Sequence, residues 1–110
     1  MMVELKVTQK DFEDWLVEEH KASFKSIDQI KEFVSQGILF LFVSGSNFLK
    51  SYLLRKVKLI ENQNQLLRTL EGQTYLWWIF SQTVEEIHGN QEEITIVYKP
   101  KEKYKPFFRY

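Results

Sequence analysis

The sequence predicts an α+β fold: a single small layered domain in the order β-α-α-β-α-α-β, with about three strands covered by helices. Three observations carry this. A short run near the start, Val3 to Val7, alternates apolar and charged residues. Several longer stretches repeat apolar residues at helical spacing behind capping residues. Near the end, Glu93-Ile94-Thr95-Ile96-Val97-Tyr98 is β-branched and aromatic and is closed by Pro100, the composition of a strand. With 110 residues the chain has the size of one domain, expected to occupy residues 1–98, followed by a basic aromatic arm over 99–110.

Val3-Glu4-Leu5-Lys6-Val7 suits a strand with one face buried. Thr8 can cap the helix that follows, in which Phe12, Trp15, Leu16 and Phe24 recur at near-helical spacing while Asp11, Glu13, Asp14, Glu18 and Glu19 fall mainly elsewhere. Early acids also suit the positive end of the helix dipole. Ser26-Ile27-Asp28-Gln29 has the form of a capping box ahead of the stripe Ile27, Ile30, Phe33 and Val34, and Gly37 is a natural stop. Ile38-Leu39-Phe40-Leu41-Phe42-Val43 is apolar at every position, the pattern of a strand covered on both faces, and is the expected central strand.

After the turn at Ser44 to Asn47, residues 47–70 contain no Gly or Pro. Stepped about 100° per residue, Phe48, Leu49, Tyr52, Leu53, Val57, Leu59, Ile60, Leu66, Leu67 and Leu70 share one half of a helical wheel and only Leu54 lies outside. One long helix, interrupted near Asn62, is therefore expected. Glu71-Gly72-Gln73 should break it, with Thr74 capping another helix through Leu76, Ile79, Phe80, Val84 and Ile87 to Gly89. The alternative is a more β-rich meander across 47–98, in which Gly89-Asn90 turns a strand ending at Ile87 into the last one.

The chain is 44% hydrophobic and 15% aromatic, which excludes a disordered or collagen-like class. Having no cysteine, it can form neither a disulfide framework nor a thiolate zinc site nor a cysteine nucleophile. Met1 to Lys6 has no basic region leading into an apolar stretch, so a cytoplasmic location is expected. The longest wholly apolar run, Ile38 to Val43, has six residues, whereas a membrane-spanning helix needs about twenty, so no transmembrane segment is expected.

Fifteen bases balance fifteen acids, yet the zero total is segmented. Residues 1–36 carry net −3, residues 37–70 carry +4, residues 71–98 carry −5 and residues 99–110 carry +4. Either these blocks neutralise one another as exposed ion pairs, or a basic block faces solvent and concentrates anionic partners.

No cofactor and no metal are expected. Gly37, Gly45, Gly72 and Gly89 are scattered and form no phosphate-binding loop. On a helix, Glu85 and His88 would share a face as in a Glu-x-x-His motif, but there is no second copy to complete a metal centre. Asp11, Asp14 and Glu18 on one helical face read as solvated acids. Glu4-Leu5-Lys6 has the Glu-x-Lys spacing used by metal-dependent nucleases, where the acid holds a divalent ion and the lysine meets the phosphate. Two residues in an alternating strand are explained without it. No catalytic residues are assigned.

Trp78 diverges by about 100° from Trp77 and falls outside the Leu76, Ile79 and Phe80 face. It is the first candidate anchor for a partner, joined by Tyr104, Phe107, Phe108 and Tyr110 of the arm. Lys50, Arg55 and Lys58, with Lys101, Lys103, Lys105 and Arg109, are the candidate nucleic-acid contacts, because ammonium and guanidinium groups meet phosphates while rings stack on bases. Lys56 lies within the apolar arc, where its stem would run over the core. The expected function is a non-enzymatic interaction module, such as a regulator, inhibitor or viral or mobile-element accessory protein, with a protein as its partner. Nucleic-acid binding is the alternative, a small metal-dependent nuclease or toxin the third reading. A homodimer is also expected, from the apolar face of the Leu-rich helix.

Overall fold

A computed structural model describes residues 2–57 and 68–100. Strand β1 spans Val3–Thr8, followed by helices α1 (Gln9–Glu19), α2 (Ile27–Val34), α3 (Ile38–Val43), α4 (Asn47–Lys56) and α5 (Leu70–Ser81), then strands β2 (Val84–Gly89) and β3 (Glu93–Tyr98). The α+β class with three strands covered by helices holds, and the strands form one antiparallel sheet in the order β1-β3-β2.

The first capping signals act as the sequence implies. Thr8 accepts the Asp11 N–H at 3.1 Å, and Ser26 accepts that of Gln29 at 3.2 Å. The Gln29 side chain reaches back one residue further than a standard capping box, accepting from the Lys25 N–H at 2.7 Å.

Two stretches of the chain, 38–43 and the segment after α4, differ from expectation. Ile38–Val43 is helix α3, not the central strand. An all-apolar run of six residues has no period to distinguish strand from helix, and a helix closes its backbone bonds without a neighbouring strand. Its first turn borrows acceptors from the β2–β3 turn: the Ile38 N–H donates to the Gln91 carbonyl at 2.8 Å, and the Gln91 side-chain oxygen lies 3.4 Å from the Phe40 N–H. Ile38 and Leu41 are buried, while Phe40 and Val43 remain 50% and 76% exposed.

The second difference lies beyond α4. Thr69, rather than Thr74, caps α5 by accepting from the Gly72 N–H at 3.0 Å, so Glu71, Gly72 and Gln73 form its first turn instead of a break. The helix ends at Ser81, and Val84–Gly89 is a strand, as in the hairpin alternative. Asn90 sets that turn, its side-chain oxygen accepting the Glu92 and Glu93 N–H groups at 2.9 and 3.1 Å. The single long helix is also corrected, because α4 ends at Lys56, Val57 is extended, and Leu70 opens α5. A shared apolar arc cannot separate one helix from two in succession. Leu54, the outlier of that arc, is fully buried, because α4 packs against both α1 and α5. The remaining residues of that expected helix, 58–67, lie outside the described residues.

Val3, Leu5 and Val7 pair with Tyr98, Ile96 and Ile94 on the sheet face that meets the helices. The opposite face carries Glu4, Lys6, Glu86 and His88, with Thr95 and Val97 between them, both 8% exposed. Among the described residues no helix is long and apolar enough to cross a membrane.

Gly89 has φ +145, and a Cβ there would run into the Glu93 carbonyl oxygen and lie 2.6 Å from Ile94 Cα. Gly45 has φ +74 but meets only the flexible end of Lys50, at 3.6 Å. Gly89→Ala should therefore cost about 2–3 kcal/mol and Gly45→Ala about 1 kcal/mol, read as urea midpoints at constant slope. Equal losses at the two positions would contradict this account of the turn.

Candidate functional site

Helix α4 stands between two groups of aromatic rings. On one side Phe12, Trp15 and Tyr52 meet with centroids 5.2–6.2 Å apart, and His20, Phe24, Phe33 and Phe48 extend the cluster. On the other, Trp77 touches Phe42 at 5.9 Å and Phe80 at 5.5 Å, and Phe80 rests on Tyr98 at 5.2 Å. Leu76, Ile79 and Phe80 bury the inner side of α5, leaving its outer side to Tyr75 and Trp78.

Those two residues are three apart, so they share a helical face, and their rings stack with centroids 6.5 Å apart. Trp78 is 53% exposed and Tyr75 46%. Trp78 is thus placed where its angle to Trp77 implies. Tyr75 is not among the sequence candidates, although its spacing of three from Trp78 identifies it. Phe40 and Val43 stand exposed on α3, which the Phe42–Trp77 contact joins to α5.

The described bases of the nucleic-acid candidate set are not brought together. Lys50 lies over the Trp77 ring, 5.6 Å from its centroid, on the side of α5. Arg55 donates to Ser51 and lies 6.0 Å from the Trp15 ring, on the side of α1. Lys56 lies 5.3 Å from the ring of Tyr52, whose hydroxyl is pushed above its ordinary pKa by burial, against the opposing charge of Lys56. Lys58, Lys101, Lys103, Lys105 and Arg109 lie outside the described residues, as do Tyr104, Phe107, Phe108 and Tyr110.

The acids are dispersed. Glu85 and His88 sit on a strand, so the helical juxtaposition of a Glu-x-x-His motif does not exist. Glu4 and Lys6 point from the outer face of the sheet, and Glu71, Glu85, Glu86, Glu92 and Glu93 are exposed. Among the described residues the one ion pair, Lys10–Asp14 at 3.3 Å, lies within the first acidic block and does not join two blocks. No three His, Asp or Glu side chains converge among these residues, and no buried side-chain nitrogen or oxygen lacks a partner.

No family model matches the chain, and neither a curated protein nor a solved structure matches it.

His20 is wedged edge-on between Trp15 at 4.6 Å and Phe48 at 5.3 Å. Burial lowers its pKa below the ordinary 6.5, the Arg55 charge adds to this, and Glu19 opposes it. The folded state therefore resists protonation. The contribution of neutral His20 to stability is full above the unfolded value and is lost as pH falls through the lower folded value. The urea midpoint should drop more between about pH 7.5 and 5 in the parent than in His20→Phe. An imidazole NMR titration with its midpoint at or above 6.5 would refute the placement.

Proposed function

We propose that this chain is a non-enzymatic interaction module that binds a protein partner through the outer face of α5, with Trp78 as its anchor and Tyr75 beside it. The observation that carries this reading is the half-exposed, stacked Tyr75–Trp78 pair on a helix whose other side is locked into the core. Two rigid aromatic side chains lose little entropy when a partner covers them, and tryptophan and tyrosine are enriched among residues that dominate interface energy. Holding them on a packed helix lowers the ordering cost further.

A protein fits this surface better than a nucleic acid. On α4, Lys50, Arg55 and Lys56 lie over the protein's own rings and on different sides of the helix. The surface around β2 and its turn carries exposed Glu85, Glu86, Glu92 and Glu93, which repel phosphates.

Quantitative capture from nuclease-treated host lysate, comparing the parent chain with Trp78→Ala and Tyr75→Ala, tests the reading. Trp78→Ala should weaken the captured complex about 30-fold, corresponding to about 2 kcal/mol. Its urea midpoint should shift by only about 0.5 kcal/mol or less, since the side chain is exposed. A partner retained equally by both variants would overturn the proposal. Capture abolished by nuclease would transfer the reading to nucleic acid.

A further inference from the structure

The sheet ends on β1, and the backbone there has a definite polarity. The register continues one residue past the strand, because the Gln9 N–H donates to the Glu92 carbonyl at 2.8 Å. Bonded pairs alternate along an antiparallel ladder. Val3, Leu5 and Val7 therefore direct their backbone groups toward Tyr98, Ile96 and Ile94, and those of Glu4 and Lys6 point away from the sheet. Among the described residues no strand pairs with this edge. The other edge, β2, carries a bulge between Val84 and Glu86, a device that blunts an edge, and its exposed Glu85 and Glu86 are of one sign, whereas the charges of β1, Glu4 and Lys6, are opposite. Strand β1 has neither a bulge nor a proline.

We propose that this edge pairs with β1 of a second copy, antiparallel, about a two-fold axis through Leu5. The segment Val3-Glu4-Leu5-Lys6-Val7 is self-complementary in that register. Glu4 faces Lys6 of the second copy and Lys6 faces its Glu4, Val3 faces Val7, and Leu5 faces Leu5. The outward backbone groups of Glu4 and Lys6 then form the bonded pairs. Shifting the pairing by one residue sets outward groups against inward ones. Shifting it by two sets Glu4 against Glu4 or Lys6 against Lys6, so like charges reject both neighbouring registers. On the helix side Val7 is fully buried while Val3 and Leu5 are only half-buried, and Leu5 against Leu5 extends the core across the axis. Each copy presents the same patch, so the assembly closes as a dimer with a six-stranded sheet. The described leucines of α4 offer no competing apolar face, since Leu49, Leu53 and Leu54 are buried.

Sedimentation of the full chain over a concentration series, with amide exchange at each concentration, tests the pairing. A monomer–dimer equilibrium is expected in which the Glu4 and Lys6 amides gain protection as dimer forms, while Leu5 and Val7, bonded to β3, are protected throughout. Glu4→Lys and Lys6→Glu should each weaken the dimer about tenfold, and combining them should restore it. Urea midpoints of the three variants report whether each still folds, and the exchange experiment on the unmodified chain needs no variant. A monomer at every concentration overturns the proposal. So does a dimer indifferent to the single swaps, or one whose Glu4 and Lys6 amides stay unprotected.

Discussion

Strand β3 pairs along both edges, with Ile94, Ile96 and Tyr98 bonding toward β1 and Glu93, Thr95 and Val97 toward β2. Its side chains are spent equally: the first three face the helices, and Thr95 and Val97 lie nearly buried on the far face. The turn before it also reaches into the helical layer. Gln91 receives the first amide of α3, and Glu92 receives that of α1. The Gln9 side chain, at the start of α1, in turn donates to the Val34 carbonyl at the end of α2 at 2.7 Å. Strand, turn and three helix ends thus form one connected set of bonds. Because β1 and β3 are far apart in the chain, the sheet requires a long loop to close before its contacts are gained.

The charge blocks take on a different meaning in three dimensions. Three cations of the second block, Lys50, Arg55 and Lys56, lie over aromatic rings, where each contributes about 0.5–1 kcal/mol at an exposed site. The acids of the third block stay exposed on the hairpin and at the start of α5. Among the described residues no ion pair joins these two blocks: Lys50, Arg55 and Lys56 lie over aromatic rings, and the acids of the third block face water. His20 belongs to the same environment, since an imidazolium between Trp15 and Phe48 would sit near Arg55.

Local chemistry made β1, the Thr8 and Ser26 caps and β3 legible in the sequence, because each depends on near neighbours: alternation, an oxygen three residues before an amide, a β-branched run before proline. Helix α3 was illegible for the converse reason. Its apolar run fits either structure, and what decides between them is Gln91, more than fifty residues later in sequence. The start of α5 was misread because two threonines could cap it, and Gly72 looked like a break although Thr69 places it in the first turn. At the candidate site, Trp78 could be read from its angle to Trp77. Phe40 and Val43 could not, since assigning them to a doubly covered strand implied burial.

The distance between β1 and β3 also has a consequence during synthesis. Ribosomes add roughly 5–20 residues per second, so several seconds separate the appearance of β1 from that of the strand that completes its inner edge. Throughout that interval Val3 to Val7 exposes both rows of backbone groups in a self-complementary pattern. Successive nascent chains on one messenger carry the same segment close together, which makes the first strand a place where two chains can meet before either has folded.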